Sequence, residues 1–423
     1  MSEGDLARLK SWATIPSPRF IGGNQVELLQ GGDALFPRME AAIDAATAEV
    51  WLATYIFHDD PAATAIAAAL SRAATRGVAV HVVVDGFGTR TLLAPLRALL
   101  AGTGVELEVF RPLDRWYAWF QPGQLRRLHH KLCVCDGVVA FVGGINLIDD
   151  RHDLRHGWTD TPRLDFAVQL RGPLVQSVHD TARAMWARAH LARAWRHELS
   201  ELVKSDRPVA GTIDLVKTLR SRSSKSSEPA VLPVRAAFLV RDNLRQRRTI
   251  ERSYVEAIRR SRVRVDIAVP YFYPGRSFRR VLRNAAKRGV QVRLLLQGRA
   301  DYRIAAMAAR ALYDELRAHG VHIYEYTPAF LHAKVAVVDA EWATVGSSNI
   351  DPLSLLLNLE ANVMVRDPDF AAALTARFEQ AYAVSTEIVT NSLHAGWRNW
   401  LNRGAVAWAA SVYMRIAGIT GRY

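Results

Sequence analysis

The stretch 331–339 reads Leu-His-Ala-Lys-Val-Ala-Val-Val-Asp, and Gly-Ser-Ser-Asn follows it at 346–349. Its valines favour a β-strand, in which side chains two positions apart lie on the same face. We therefore expect His332 and Lys334 to point the same way, and Asp339, at an odd offset, to face away and to have a structural role. A nitrogen base beside a fixed cation suits an anionic phosphate, whose oxygens the Gly-Ser-Ser-Asn turn could also bind.

A second copy of this pattern lies upstream. Residues 129–136 read His-His-Lys-Leu-Cys-Val-Cys-Asp, and Gly-Gly-Ile-Asn follows at 143–146. Both copies fit H-x-K-x4-D-x6-G-[GS]-x-N. A single copy would be explained equally well by a histidine that is buried in a core strand with its hydrogen bonds satisfied. A four-part spacing that occurs twice instead indicates a duplicated phosphate site.

The sequence around the two motifs repeats in the same order. The apolar stretch 50–57 matches 263–270, and the stretch 76–86 matches 288–298; an Ala-rich helix is predicted at 61–75. Predicted strands alternate with predicted helices in both halves, which is typical of α/β folds. We therefore predict an α/β fold made of two similar α/β/α sandwich domains, related by a pseudo-twofold axis.

Changes in composition divide the chain into four parts. The first domain is predicted at 1–205, and a polar, Ser-rich linker follows at 206–233. The second domain is predicted at 234–390, and an amphipathic tail for the membrane surface at 391–423. Each predicted domain contains one of the two motifs.

The chain is long enough for two domains and is strongly basic. Its 423 residues include 55 Lys+Arg against 41 Asp+Glu, a net charge of +14, and half of them are hydrophobic. An excess of positive charge indicates a polyanionic partner, either nucleic acid or an anionic membrane surface, and does not choose between them. The two cysteines, Cys133 and Cys135, are poorly spaced to bridge each other and are expected in the core.

The sequence contains no candidate for a signal peptide or a spanning helix. Residues 1–19 lack an apolar run, and no stretch reaches the roughly 18 uncharged apolar residues that a transmembrane helix needs. If the protein acts on a membrane, we expect it to lie on the surface.

Two His-Lys pairs that meet across a pseudo-twofold axis could flank one phosphate. One imidazole would attack phosphorus and the other would protonate the leaving alkoxide, which gives a phosphohistidine intermediate. Lysines and turn residues would offset charge on the phosphoryl oxygens, so we expect no metal and no other cofactor. The motifs thus define a catalytic set, His129, Lys131, Asp136, His332, Lys334 and Asp339, and a phosphate-binding set, Asn146, Ser347 and Asn349.

An attacking imidazole needs an acceptor on its other nitrogen to hold the right tautomer. Two carboxylates lie in otherwise apolar predicted strands downstream of the motifs, Asp165 in the first half and Glu360 in the second. Because a buried, unpaired charge is costly, we expect each to orient the histidine of its own half. The alternative is that each is an exposed strand carboxylate.

The two motifs resemble the HKD signature of the phospholipase D superfamily. Further stretches resemble the bacterial cardiolipin synthases of the B type, namely 129–146, Arg171-Gly172-Pro173, 270–275 and 345–360. The resemblance implies transfer of a phosphatidyl group from one phosphatidylglycerol to another, giving cardiolipin and glycerol. It also implies that His129 is the nucleophile and His332 the acid and base, although the near-symmetry of the motifs leaves this order open.

The resemblance covers most of the chain and includes one departure from the superfamily. Gly144 stands where a serine is common, which leaves Ser347 as the only hydroxyl at that position. The same glycine occurs in the cardiolipin synthases, so it agrees with the narrower resemblance.

Two aromatic and basic segments fit a lipid substrate. Residues 115–120 read Arg-Trp-Tyr-Ala-Trp-Phe and would lie among headgroups or form a packed lid. The stretch 397–423 combines aromatic residues with arginines, as an interfacial helix does; a helix packed on its own domain is the alternative. We expect phosphatidylglycerol and the membrane surface as partners, no nucleic acid, and a peripheral position on the cytoplasmic side of the bacterial inner membrane.

Two other functions stay open on the same fold. A hydrolytic phospholipase D would use water as the acceptor, and the sequence does not reveal how well water is excluded. A basic nuclease or other phosphodiesterase would use the positive charge for polyphosphate, but no recognised nucleic-acid module accompanies it. The oligomeric state is not determined by the sequence.

Overall fold

A computed structural model describes residues 20–112, 126–154, 156–202, 234–241, 248–299, 312–350 and 358–389. The predicted linker at 206–233, the tail at 391–423 and the aromatic segment at 115–120 lie outside the described residues. The domain boundaries expected from the sequence therefore stay predictions.

The first half begins with a strand and alternates strands with helices. Its strands are β1 Ile21–Gln30, β2 Glu49–Thr54, β3 Ala79–Asp85, β4 Glu106–Phe110, β5 Arg127–Leu128, β6 Leu132–Cys135, β7 Val139–Gly143, β8 His152–Asp153, β9 Gly157–Trp158 and β10 Phe166–Arg171. Its helices are α1 Gly31–Asp44, α2 Pro61–Thr75, α3 Leu93–Leu100 and α4 Val175–Leu202. Helix α2 begins where its sequence requires, because Asp60 accepts the N–H of Ala63 and Pro61 lies in the first turn.

The second half repeats this order. Its strands are β11 Val234–Arg241, β12 Arg264–Val269, β13 Gln291–Gln297, β14 Val321–Tyr326, β15 Val335–Val338, β16 Trp342–Gly346, β17 Asn358–Arg366 and β18 Thr386–Glu387. Its helices are α5 Thr249–Arg260, α6 Arg276–Lys287 and α7 Pro368–Ala383, and a short helical segment at 312–317 precedes β14. Among the described residues, no helix is both long and apolar enough to cross a bilayer.

Strands from both halves form one continuous mixed sheet. Its order is β18-β14-β13-β12-β15-β16-β17-β11-β1-β10-β7-β6-β2-β3-β4. From the centre outwards, the strands of the second half from β11 to β14 stand where their counterparts stand in the first, and β18 adds one strand at the far edge. The antiparallel pair β1–β11 joins the halves. Such a mirrored order is what a pseudo-twofold axis between duplicated domains produces, so the predicted fold class is confirmed.

Helices cover both faces of the sheet, which is why its strands read as near-continuous apolar runs. Ile66 and Leu70 of α2 belong to a core on one face of the first half, and Tyr254 and Phe278 belong to the matching core of the second half. A third core includes residues of α4 and α7 and runs through both halves. This shared core holds the two halves in a fixed relation.

The motif strands begin later than the sequence predicts. β6 starts at Leu132 and β15 at Val335, so each His-Lys pair lies in the extended segment before its strand. The backbone N–H of His129 donates to Leu359 O at 3.0 Å, and that of His332 donates to Leu164 O at 2.9 Å. These acceptors belong to the opposite half. The lysine carbonyls bond within their own half, since Gly143 N–H donates to Lys131 O at 3.3 Å and Gly346 N–H donates to Lys334 O at 3.2 Å.

The motif aspartates lie at the other ends of these strands and bind backbone. Asp136 accepts N–H groups at 47–49 with distances of 2.8 to 2.9 Å, and Asp339 accepts N–H groups at 262–264 with distances of 2.9 to 3.0 Å. Both residues have a φ of 53°, a left-handed conformation that aspartate tolerates. These backbone contacts agree with the structural role expected from the odd offset, and the place of both residues in the catalytic set stays a prediction.

Candidate active site

Two strand pairings between the halves place the motif histidines. β5, which ends one residue before His129, pairs in parallel with the start of β17. Leu331, just before His332, forms a parallel bridge with Leu164. Each histidine therefore lies beside the carboxylate of the opposite half, with Glu360 near the start of β17 and Asp165 directly before β10.

The histidine–carboxylate pairs are crossed. Nδ1 of His129 lies 3.0 Å from Oε2 of Glu360, and Nδ1 of His332 lies 2.6 Å from Oδ2 of Asp165. The expectation that each carboxylate pairs with the histidine of its own half is wrong, because the pairings of β5 with β17 and of Leu331 with Leu164 exchange the partners. Both carboxylates are buried, so the alternative of exposed strand carboxylates is also wrong.

The carboxylates determine which ring nitrogen carries the hydrogen. An ionised carboxylate only accepts, so Nδ1 of each ring donates to it and Nε2 keeps a lone pair. Burial lowers the pKa of His129, with Glu360 opposing the shift and Lys131 adding to it. Burial also lowers the pKa of His332, and Lys334 adds to that shift. In the free site both rings are neutral at neutral pH, with Nε2 available as a nucleophile or base.

Neighbouring lysines and hydrogen-bond donors keep the two carboxyl groups ionised. Burial alone would raise the pKa of Asp165, but Lys334 and His332 outweigh it and lower this pKa. Burial would likewise raise the pKa of Glu360, which His129 and other neighbours lower instead. A charge that is buried in this way depends on close partners, so the four groups stabilise one another.

Both motif lysines are buried beside their histidines. Nζ of Lys131 donates to His129 O at 3.0 Å and lies 5.3 Å from the centre of the Tyr55 ring. Nζ of Lys334 contacts the backbone oxygen and the ring of His332. Burial lowers the pKa of Lys131 to about 7, with Lys334 adding to the shift, and lowers that of Lys334 to about 8. The lysines of the two halves thus act on each other within one basic site.

The residues at the two turn positions match the carboxylates that they face. A Cβ added to Gly144 would lie 2.4 Å from Oδ1 of Asp165, so this position leaves no room for a side chain. At the equivalent position, Ser347 donates its hydroxyl hydrogen to Oε2 of Glu360 at 2.5 Å. That hydrogen is already used, so the structure supports a role for Ser347 in holding Glu360 and does not support its predicted role as a phosphate donor.

The motif asparagines follow these turns, and both are buried. Oδ1 of Asn146 accepts no hydrogen bond from any described residue. An amide can rotate to exchange its oxygen and its NH2 group, and the NH2 group donates well to phosphate oxygens. The phosphate-binding role of Asn146 and Asn349 stays a prediction.

Two residues near the histidines were missed by reasoning from the sequence. The Tyr55 ring, directly after β2, lies 4.9 Å from the His129 ring. His130 is fully buried, and burial lowers its pKa to about 4. The sequence does contain a signal for Tyr55, because aromatic residues follow the equivalent strands of both halves. It contains no signal for His130, which occupies a variable position of the motif.

Comparison with known proteins agrees with this geometry. Residues 39–156 and 254–382 match the family described as cardiolipin synthase, PLD-like domain. Cardiolipin synthase B of Escherichia coli K12 is 35% identical over 382 residues, which cover 90% of this chain and 85% of that protein. Cardiolipin synthase A of Pseudomonas putida GB-1 is 32% identical over 389 residues, which cover 90% and 74%.

A solved structure of low sequence identity shares the fold. Phosphatidylserine synthase of Haemophilus influenzae aligns with a TM-score of 0.62 at 14% identity, covering 97% of this chain and 98% of that one. The duplicated sheet with its paired motifs is that of a phospholipase D-like protein with two such domains. The chain belongs to the cardiolipin synthase family of PLD-like proteins.

We expect Gly144→Ser to displace the Asp165 carboxylate, because the new Cβ would lie 2.4 Å from Oδ1. His332 would lose the acceptor of its Nδ1–H, and turnover of a phosphodiester should fall by about 10²-fold, as ångström-scale misplacement does. The Nδ1–H signal of His332 in a proton NMR spectrum gives a direct readout.

The matched control is Gly275→Ala, since nothing lies within 4 Å of a Cβ added there. It should keep both the turnover and the NMR signal. Wild-type turnover in a folded Gly144→Ser protein would contradict the steric argument.

We expect the affinity for sulfate to fall as the pH rises from about 6 to about 9. Sulfate keeps its charge over this range, whereas Lys131 and Lys334, with pKa values of about 7 and about 8, lose their protons. A lysine is cationic below its pKa, so the attraction is present at the acidic end and lost at the alkaline end. Isothermal titration calorimetry at several pH values measures the change.

Lys131→Met is the comparison for this pH dependence. This variant should bind sulfate more weakly than the wild type at the acidic end of the range. Its affinity should also fall by a smaller factor than that of the wild type as the pH rises. A wild-type affinity that is constant across the range would place both lysines at their ordinary pKa of 10.5 and contradict the shift.

Proposed function

We propose that the protein is a cardiolipin synthase, which transfers a phosphatidyl group from one phosphatidylglycerol to a hydroxyl of a second and releases glycerol. The relatives named cardiolipin synthase B, 35% identical over 90% of this chain, support the reaction class. The observation that carries the proposal is the pair of buried histidine–carboxylate contacts, at 3.0 and 2.6 Å, which cross between the halves. They provide two oriented imidazoles beside two buried lysines, as a double displacement at phosphorus needs.

In the first step, Nε2 of His129 attacks phosphorus. An N–P bond forms, the P–O bond to the glycerol headgroup breaks, and His332 gives its proton to the leaving oxygen. The pKa of His332 is lowered in the free site. The bound anionic phosphodiester therefore supplies the negative charge that favours its protonated form.

In the second step, the hydroxyl of another phosphatidylglycerol replaces glycerol. His332 takes the proton of this hydroxyl, the hydroxyl oxygen attacks phosphorus, and the N–P bond to His129 breaks. Cardiolipin then leaves, and both histidines have the protonation states that they had before the first step.

The remaining polar residues act on the phosphoryl oxygens and on the rings. Lys131 and Lys334 offset the charge that builds up on the oxygens, and Asn146 and Asn349 donate to them. Asp165 and Glu360 act through the histidines by holding Nδ1. Ser347 donates to Glu360 and so positions the carboxylate that holds His129, without contacting the ring itself.

We propose an anionic membrane surface as the partner of the protein and the cytoplasmic side of the bacterial inner membrane as its place, with peripheral attachment. The net charge of +14 supports this, because the cytoplasmic leaflet carries a negative surface potential. The segments 115–120 and 397–423, which we propose to contact lipid, lie outside the described residues. No role in binding nucleic acid is proposed.

We expect the purified full-length chain to convert vesicles of phosphatidylglycerol into cardiolipin and free glycerol in equal amounts. His129→Ala and His332→Ala should each reduce the rate by about 10³-fold or more, because both steps need a nucleophile and a proton donor or acceptor. His322→Ala, which changes a histidine paired with Glu387 away from the motifs, is the matched control and should keep the rate. Lipid mass spectrometry and a glycerol assay measure the products.

The product pattern separates the competing functions. Phosphatidic acid as the main product would contradict the synthase function and indicate a hydrolytic phospholipase D. Cleavage of nucleic acid without lipid turnover would point to a nuclease. Near-normal turnover in either motif-histidine variant would reject the two-histidine mechanism.

We expect an activated substrate to separate the roles of the two histidines. A phosphatidyl ester of p-nitrophenol has a leaving group that departs without protonation, so His332→Ala should still release about one equivalent per chain in a burst and retain a phosphatidyl group. His129→Ala should give no burst. Stopped-flow absorbance and intact-protein mass spectrometry measure the two quantities, and the opposite pattern would exchange the roles.

A further inference from the structure

Two histidines and an aspartate converge away from the motif histidines. His58 and Asp60 lie between β2 and α2, and His152 lies in β8. Nδ1 of His58 is 3.4 Å from Oδ2 of Asp60, and Nδ1 of His152 is 3.5 Å from the same oxygen. One atom from each residue can be chosen so that all three lie within 4.8 Å of one another, and no other group of three such residues does so in the described part of the chain.

The two ring nitrogens are buried without a hydrogen bond. Nδ1 of His58 and Nδ1 of His152 have no hydrogen-bond partner among the described residues. The His58 side chain is 10% exposed and that of Asp60 is 2% exposed. Unsatisfied buried nitrogens are rare in native proteins, and each needs a partner. Here both lie 3.4 to 3.5 Å from one carboxylate oxygen, so a single group between the three atoms would satisfy them.

The spacing of the three atoms fits a divalent transition-metal ion. Zinc binds nitrogen and carboxylate oxygen at about 2.0 to 2.2 Å in a tetrahedral arrangement, which places neighbouring ligand atoms roughly 3.4 Å apart. The His58–Asp60 and His152–Asp60 distances of 3.4 and 3.5 Å have this value. The two imidazole rings are nearly perpendicular, at 88°, so both can direct a lone pair to one point without stacking.

Asp60 is held in position by the surrounding backbone. Its Oδ1 accepts the N–H of Ala63 at 3.0 Å, and its Oδ2 accepts the N–H of Asp149 at 2.8 Å. These bonds fix the carboxylate before any ligand arrives.

The two histidines are also held by local contacts. The backbone N–H of His58 donates to Leu147 O at 2.8 Å, and the His152 ring stacks on Trp158 with an interplanar angle of 6°. A donor set that is fixed in this way loses little freedom when it takes up an ion.

We propose that His58, Asp60 and His152 form a binding site for Zn²⁺ or a similar late first-row divalent ion, with water in the fourth position. Imidazole nitrogen favours such ions, whereas Mg²⁺ and Ca²⁺ prefer oxygen ligands throughout. The alternative is an ion pair in which a protonated His58 is shared by Asp60 and the exposed Asp59, whose Oδ1 lies 3.1 Å away. An ion pair of this kind needs no metal.

The site would stabilise the segment that joins two residues of the active site. This segment runs from Asn146 to Asp165 and includes His152. The His156 ring, four residues further on, contacts the Phe330 ring of the second half at 5.1 Å. An ion that ties His152 to the start of α2 would therefore limit motion of the segment that positions Asp165. No group of the proposed phosphatidyl transfer is a ligand, so the role is structural.

The test uses the full-length chain, treated with a chelator and then titrated with Zn²⁺. We expect about one ion per chain in metal analysis after gel filtration, and visible absorption typical of tetrahedral Co²⁺ when cobalt replaces zinc. His58→Ala and His152→Ala should each weaken Zn²⁺ binding by about 10²-fold or more. His156→Ala, on the same segment and outside the donor set, is the matched control and should bind as the wild type does.

Thermal unfolding gives a second readout that does not depend on activity. Zn²⁺ should raise the melting temperature of the wild type and of His156→Ala, and leave those of His58→Ala and His152→Ala unchanged, because an ion that binds only the folded state stabilises it. His152→Gln, which keeps a polar side chain, replaces the alanine variant if that one fails to fold. Fewer than about half an ion per chain in the wild type, or undiminished binding in the His58 and His152 variants, would overturn the proposal.

Discussion

The contact between a buried carboxylate of one half and a histidine of the other is the constraint on which the rest of the structure depends. Asp165 and Glu360 are buried anions, and such charges are tolerated only beside close partners. Their histidine partners lie 167 and 231 residues away along the chain. Both pairs can therefore form only when the two halves are folded and docked, so neither half contains a complete histidine–carboxylate pair.

Docking of the halves also sets the electrostatics of the site. The shared core and the β1–β11 pair hold the sheets together, and the resulting burial lowers the pKa of both motif histidines and both motif lysines. The same burial would neutralise the carboxylates if the cations were absent. The free site thus keeps neutral imidazoles and easily titrated lysines next to two ionised carboxylates.

The duplication is close in topology but not in chemical detail. The seven strands from β1 to β4 along the sheet each have a counterpart in the second half. Gly144, however, makes room for the shorter Asp165, while Ser347 donates to the longer Glu360. His129 also lies beside Tyr55. Two histidines with unequal surroundings can divide the work of nucleophile and acid, which identical surroundings would not favour.

The sequence by itself determined the duplication, the order of strands and helices, and the residue types of the site, because these follow from local spacing. The predicted helix at 61–75 has the bounds of α2. Only the tertiary structure decided which carboxylate meets which histidine, where β6 and β15 begin, and that His152 approaches Asp60. The reason is physical: these contacts join segments that are far apart in sequence, and a pattern within one segment carries no information about the segment that docks against it.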